Sequence, residues 1–499
     1  MKTFLLFLAI TTSLLATTLH LSIPANPSRF NPILATDSAS SSITRWLFNG
    51  LVRYDKDGNI EPELAQSYAF LSPTLLEFRL RNDVFWSDGA PFSAKDVLFT
   101  YEAILSPEIF TPYSSGFSHV ESVEIVDEYT LHVRYKYPYF KALEIWMMEV
   151  LPHHLLKDEK ALMTSRFNQT PVGTGPYILE TFALSKNIVL RANPHYFEGK
   201  PKPERLVFHF LPDNATEFMM LRSQKLDLSS ITPLQHERQL DAGFHDFYAV
   251  HESIAHSYAY VGLNLEDPKF QDPRVRQALS LAIDRQELVD ILLFGHGEVC
   301  TGPFLPRTNA FNPEVKAPQQ ESEKAKALLA QAGYTAENPL EFTLIASSGS
   351  RAATAEVLQY QLAKAGILMR IRVMEWQAFL NTVILPRRFE AVLLAWNLGL
   401  KSDAYSIWHS ESRRKGGFNF VGYANGHVDA LIKEAERTVD GEKFGKIYRE
   451  IYRHIAEDVP YLFLYIPKSL SVVNRAITPV EPAFIGITHN LEKWEKLEE

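Results

Sequence analysis

The sequence predicts an α/β protein built from more than one domain. Three observations carry that expectation. The chain has 499 residues, more than one ordinary hydrophobic core accommodates. Its composition, 46% hydrophobic and 22% charged, is that of a globular protein. Between residues 340 and 396, strand-like and helix-like patterns alternate in strict succession.

The chain starts "MKTFLLFLAITTSLLATT". Lys2 and the apolar stretch 4–16 read as an export signal, residues 1–16, cleaved near Ala16; an uncleaved anchor is the alternative. "LHLSIPANPSRFNPI" then reads as a strand followed by a Pro/Asn turn. Ile43, Trp46, Leu47 and Leu51 recur at helical spacing, and Asp-Gly in "YDKDGNI" marks a hairpin turn. "LLEFRLRNDVFWSDG" alternates like a half-buried strand. In "PFSAKDVLFTYEAIL", Ser93 caps a helix, with Asp96 at its third position. "VESVEIVDEYTLHVRYKYP" is a second hairpin pattern. Two strands joined by a turn follow in "PVGTGPYILETF" and "NIVLRANPHYFEG", and the stretch from Glu204 to Ile231 reads as strand, helix, strand.

Beyond residue 259 the helix signals sharpen. Asp272 precedes Pro273 as a cap, Asp284 stands three residues before Glu287, and helices stop near Gly295 and Gly333. The alternating series then runs strand 340–346, helix 353–364, strand 368–374, helix 376–385 and strand 389–396. Such a series predicts a parallel sheet with right-handed crossovers. Ligands in parallel sheets bind outside the carboxyl ends of the strands. That places "SSGSR" (347–351) and "AWNLGLKSDAYSIWHS" (395–410) on one crevice.

Charge and motifs narrow the function. A net charge of −9 argues against nucleic acid, and "ESRRKGG" and "LPRRF" are too short to reverse it. Cys300 is the single cysteine, so no intrachain disulfide forms, and no cysteine near the leader offers a lipoprotein anchor. No catalytic pattern stands out. "GFSHV" fails as a nucleophile elbow, "GTGPY" lacks the Lys-Ser/Thr of a phosphate loop, and adjacent His153 and His154 project about 100° apart on a helix. His409 is the one candidate metal ligand in the 395–410 stretch, with packing beside aromatic rings as the alternative. No cofactor is expected.

"AQSYAFLSPTLLEFRLRNDVFWSDGAPFSAKDVLFTYE" (65–102) resembles the signature region of bacterial family 5 extracellular solute-binding proteins. That family holds the oligopeptide, dipeptide and nickel-binding components of ABC importers. "PVGTGPYIL", "NPHYFEGKPKPERLVF", "FQDPRVRQALSLAIDRQELVD" and "GGFNFVGYANGHVDALIKEA" match in family order, so the resemblance spans 19–476. It implies a two-lobed clamshell of the type II periplasmic binding proteins, with an extra domain in the first lobe. Lobe I then comprises 17–45, 170–258 and 471–499, the extra domain 46–169, and lobe II 259–470. A ligand is held between lobes by hinge closure, and the closed form docks on a membrane permease driven by separate ATPase subunits.

The resemblance also implies site residues, with departures. Peptide-binding relatives carry an Asp three residues after the tryptophan that matches Trp396, and it pairs with the ligand ammonium; here that position is Gly399. The other family version of the loop, Leu-Gly-x-Asp-Pro-Asp-Pro-Tyr, here runs from Leu398 to Tyr405 with Lys401 for the first Asp and both prolines replaced. Asp403 remains as an ammonium partner, or else as an Asx turn or helix cap. Trp396, Tyr405 and Trp408 are candidate apolar walls, although Trp408 on a short helix equally suits inward packing. Asn397 and Asn419 are candidate hydrogen-bonding groups, and Phe420 adjoins Asn419. Asp37, Ser38 and Tyr113 match first-lobe positions that face ligand, and Arg351 is a candidate carboxylate partner. The function expected is a periplasmic component that captures short peptides for an ABC importer. Nickel or a nickel chelate, with His409 facing the cleft, is the alternative on the same fold. A secreted enzyme or sensor on the clamshell scaffold is the alternative of another class.

Overall fold

The computed structural model describes residues 17–111, 113–401, 403–414 and 417–497. The leader expected at 1–16 lies outside the described residues. Among them, no helix is long and apolar enough to cross a membrane.

The strand Thr18–Ile23 buries Leu19, Leu21 and Ile23 on one face and pairs parallel with Arg205–Phe210. Asn187–Ala192 and Tyr177–Ala183 extend this four-stranded sheet antiparallel. "VGTGPY" feeds into it as a close backbone contact. The Gly175 N–H donates to Leu47 O at 2.9 Å, and a Cβ at Gly173 would stand 1.8 Å from that oxygen. Only glycine lets the segment lie across the end of the helix Ser38–Leu47.

Residues between these two parts form a second sheet, ordered Ala65–Ser72, Leu75–Leu80, Thr130–Tyr135, Val120–Asp127, all antiparallel. Leu76, Phe78, Leu131 and Val133 are its buried face. The Ser93–Asp96 capping box starts the helix Ala94–Leu105, and the other Asp96 oxygen accepts His153 N–H at 2.8 Å. One carboxylate therefore fixes two helix starts.

The third sheet has eight strands. Glu341–Ser347 lies between Leu368–Met374 and Ala391–Asn397, parallel to both, as the alternating series predicts. Parallel pairing stops there. Ala391–Asn397 runs antiparallel to Ser257–Leu263, which runs antiparallel to Tyr461–Asn474. The expected parallel series is thus embedded in a mixed sheet. Helical crossovers force parallel order only between the strands they join, and no such crossover joins these outer strands.

Tyr461–Asn474 has fourteen residues and serves two groups of neighbours. Its first half pairs with Ser257–Leu263 and Gly297–Val299. Its second half, from Lys468, pairs with Tyr248–Ile254 and Leu228–Ile231. Beside that change of partners, Ala255 N–H donates to Pro467 O at 3.0 Å. Helix starts in this region follow the sequence signals: Asp272 caps Pro273–Leu281 and Asp284 caps Arg285–Leu293. The helix expected at 376–385 is α-helical over Trp376–Phe379 and π-helical over Leu380–Ile384. Cys300 is buried and free.

Candidate functional site

Two cavities, of about 840 and 1080 Å³, share Met147 and Glu149 on their walls and form one cleft. The larger lies between the antiparallel-sheet side, which offers Tyr113, His119, Lys141 and Glu144, and a facing side with Asp403, Tyr405, Glu436 and Arg437. Contacts beside the cavity hold the two sides together. Phe140 N–H donates to Glu436 O at 3.1 Å, and the Phe140 and Phe444 rings stack with centroids 5.4 Å apart. Lys401 donates to Phe140 O with its ammonium near both rings. Burial holds that ammonium below the usual lysine range. Lys401, where one version of the family loop has Asp, thus fastens the loop to the opposite wall.

Asp403 sits on the cavity wall and divides its two oxygens. Oδ1 accepts Tyr405 N–H at 3.0 Å, an Asx turn, while Oδ2 lies 3.5 Å from the Lys141 ammonium. Ala404, not Asp403, takes the cap position of the helix Tyr405–Trp408. Tyr405 lines the same cavity. Its hydroxyl donates to Glu411 at 2.6 Å, and this bond with burial pushes the phenol up to about 12. Tyr113 also lines it, and its hydroxyl donates to Ala35 O at 2.8 Å. Gly399, with Leu398 and Leu400, lines the smaller cavity.

Several expected site residues are placed otherwise. Trp408 is 1% exposed and packs on Tyr423, Tyr461 and Phe463, so it is core and not a cleft wall. Tyr405, three residues earlier on the same short helix, is only half-buried and remains on the cavity wall. Asn419, wholly buried, spends its amide on His409 O and Tyr423 O and accepts Tyr423 N–H. It ties a loop together and lines neither of the two cavities. Phe420 is buried and stacks on Trp396 with an interplanar angle of 7°. Trp396 itself is half-buried between Phe420 and Tyr260, and it and the exposed Asn397 lie off both cavity walls.

Asp37 caps the helix Ser38–Leu47 and accepts the hydroxyls of Ser28 and Ser40 at 2.6 Å. Burial works against its ionisation, but these bonds outweigh it and hold the carboxyl below its usual range. Neither Asp37 nor Ser38 lines either of the two cavities. Arg351 donates to Ser347 Oγ at 3.3 Å and lies over the Trp376 ring, away from the cleft. His409 is 1% exposed, stacks on Tyr405 and accepts Glu411 N–H through Nδ1. It lines neither cavity, and its Nε2 has no hydrogen-bond partner among the described residues.

The smaller cavity holds groups that no sequence motif singles out. Arg53 meets Glu61 at 2.7 Å, Glu198 at 2.8 Å and Glu63 at 3.9 Å. Burial drives the Glu63 carboxyl up to about 7, against the pull of Arg53 and of bonds from Asn49 and Gly50 N–H. His256 and His489 line this cavity too, with His256 Nε2 and His489 Nδ1 unpaired among the described residues. Only the fold gathers these side chains, from segments 45–63, 147–198 and 479–493 with His256.

With this cleft in view, the profile of the bacterial extracellular solute-binding proteins, family 5 (middle), matches residues 59–418. The chain belongs to this family. The oligopeptide-binding protein AppA of Bacillus subtilis is 31% identical over 491 residues, 94% of this chain and 89% of AppA. The structure of AppA with a nonapeptide has a TM-score of 0.80 at 29% identity, covering 96% of this chain and 99% of the other. The ABC transporter-associated periplasmic binding protein DppA of Helicobacter pylori, in complex with the peptide STSA, gives 0.80 at 25% identity, covering 96% and 98%. NikZ of Campylobacter jejuni, in complex with Ni(L-His), gives 0.83 at 26% identity, covering 96% and 99%. The fold is the type II clamshell of this extracellular solute-binding family. Its relatives here are binding components of transport systems, not enzymes.

Proposed function

We propose that this family 5 protein captures short peptides outside the cytoplasm and delivers them to the permease of an ABC importer, powered by separate ATPase subunits. Lobe I is 17–45, 170–258 and 471–499, with the extra domain 46–169, and lobe II is 259–470. Ala255–Ser257 and Pro467–Lys468, where two adjacent strands change partners, are the hinge. On this reading the leader 1–16 directs the chain out of the cytoplasm.

The observation that supports this reading is the balance of charge in the larger cavity. Asp403, Glu144, Glu149 and Glu436 stand among Lys141, Arg414, Lys433 and Arg437. A zwitterionic chain needs a carboxylate at one end and a cation at the other. The Lys141–Asp403 pair is open enough for an incoming ammonium to exchange with Lys141, since the Asp403 side chain is 42% exposed. Main-chain groups along the cleft supply the remaining, sequence-tolerant bonds.

A second reading, a nickel chelate, is favoured by His256 and His489, whose unpaired ring nitrogens belong to the smaller cavity. Native mass spectrometry of the mature protein, purified without denaturation, separates the two. A ladder of peptide masses, released on unfolding, is expected. A bound nickel–chelate mass in its place overturns the peptide reading.

A further inference from the structure

Behind the hinge, away from both cavities, three potential metal ligands meet. His236 and Glu237 lie on the helix Pro233–Gln239, whose start is locked by a Thr232–Gln235 capping box. His296 stands between Gly295, at φ 83°, and the strand Gly297–Val299. Glu237 Oε1 lies 2.9 Å from His236 Nδ1 and 3.0 Å from His296 Nε2, and the three ligand atoms fall within 4.8 Å of one another. Zinc bonds of 2.0–2.2 Å at tetrahedral angles set ligand atoms about 3.3 Å apart. The cluster therefore needs to widen only slightly to make three corners, with the fourth open to water.

A second observation points the same way. The far nitrogen of His296, Nδ1, is 2.5 Å from Glu252 Oε1, and Lys468 Nζ holds the other Glu252 oxygen at 2.9 Å. A carboxylate behind a histidine fixes its tautomer and turns its other lone pair toward a metal. His296 is also held by its backbone, since its carbonyl accepts Lys468 N–H at 3.0 Å. A second cluster among the described residues, His427, Glu450 and His454, has Arg453 3.0 Å from His454 Nε2, where it opposes a cation.

We propose that His236, Glu237 and His296 form a binding site for a divalent transition metal of the zinc class, with Glu252 as the positioning residue behind His296. The ligands come from opposite sides of the Pro467–Lys468 crossing, so the metal bridges the parts joined there. None of the three ligands lines either cavity.

The test is titration of the untagged, metal-free mature protein with Zn²⁺ by calorimetry, alongside thermal melts and the visible spectrum with Co²⁺. One Zn²⁺ per chain, a higher melting temperature with Zn²⁺ and a tetrahedral Co²⁺ band are expected. His296→Gln and His236→Gln should each lose at least 100-fold in affinity and lose the band. Glu252→Gln should lose about 10- to 100-fold while keeping the band. His454→Gln should bind as the parent does. Matching metal-free melts of parent and variants keep these losses from reflecting misfolding. Zn²⁺ binding that survives both substitutions, or no saturable binding by the parent below millimolar Zn²⁺, overturns the proposal.

Discussion

The Lys141 ammonium lies 3.5 Å from Asp403 Oδ2 across the larger cavity, while Asp403 Oδ1 holds the Tyr405 N–H. The carboxylate is thus positioned by its own turn and answers a cation on the opposite wall. An incoming peptide ammonium would exchange with Lys141. Asp403→Asn keeps the turn acceptor and removes the charge. It should weaken free-amine peptides about 10- to 100-fold, the scale of one charge-assisted bond, and N-acetylated peptides much less. Calorimetry on matched peptide pairs reads the difference. Equal loss for both would remove Asp403 from ammonium recognition.

Trp408 sits in the core, so its removal should act on folding. Trp408→Ala is expected to cost about 3–5 kcal/mol, the usual price of emptying a large aromatic site. Denaturant unfolding measures it. A variant of unchanged stability that fails to bind cargo would return Trp408 to the cleft.

A methyl group at Gly173 would stand 1.8 Å from Leu47 O, whereas one at Gly426 meets nothing within 4 Å. Gly173→Ala should destabilise by about 2 kcal/mol or more through overpacking. Gly426→Ala, at the start of the helix Gly426–Glu436, should be near neutral or slightly stabilising. Equal melting temperatures for the two variants would contradict the close contact.

Glu63 gives stability a pH dependence of known sign. Burial raises its folded value to about 7, from an ordinary 4.5. Between those values the folded protein holds a proton that the unfolded chain has released. Its stabilising contribution is therefore full below about 4.5 and declines as pH rises to about 7. The shift bounds the effect at about 3 kcal/mol. Glu63→Gln should lack this decline, and unfolding curves across the interval, compared with the parent, test it. Parallel curves would show that Glu63 does not titrate there.

Local signals in the sequence translated well into structure. Asp272 with Pro273, Asp284 and Ser93 with Asp96 each start the helix they announce, because a cap needs only neighbours along the chain. The alternating series 340–396 likewise appears as three parallel strands. The sequence carried no signal for the direction of the sheet's remaining strands, which pair antiparallel across long intervals without crossovers. The cleft was half legible. Asp403, Tyr405, Gly399 and Tyr113 are on its walls, yet Trp408, three residues from Tyr405, and Asn419 are core. An aromatic residue on a one-turn helix carries no local mark of the side it faces. Lys141, Glu436 and the Arg53 cluster escaped notice because each belongs to a different element and acquires meaning only through its partner. His236 and His296 escaped for the same reason.

The strand Tyr461–Asn474 has one more consequence, for the order in which the protein can be made. It forms the centre of the largest sheet, flanked on both sides along its length, yet it lies close to the end of the 499-residue chain. A ribosome that has reached residue 460 has produced every neighbour of this strand and none of the strand itself. The sheet edges at Ser257–Leu263 and Tyr248–Ile254 stay unzipped until the final stretch emerges. Translation therefore leaves this sheet without its central strand until nearly the end of synthesis, whereas both four-stranded sheets have all their strands once Phe210 is made.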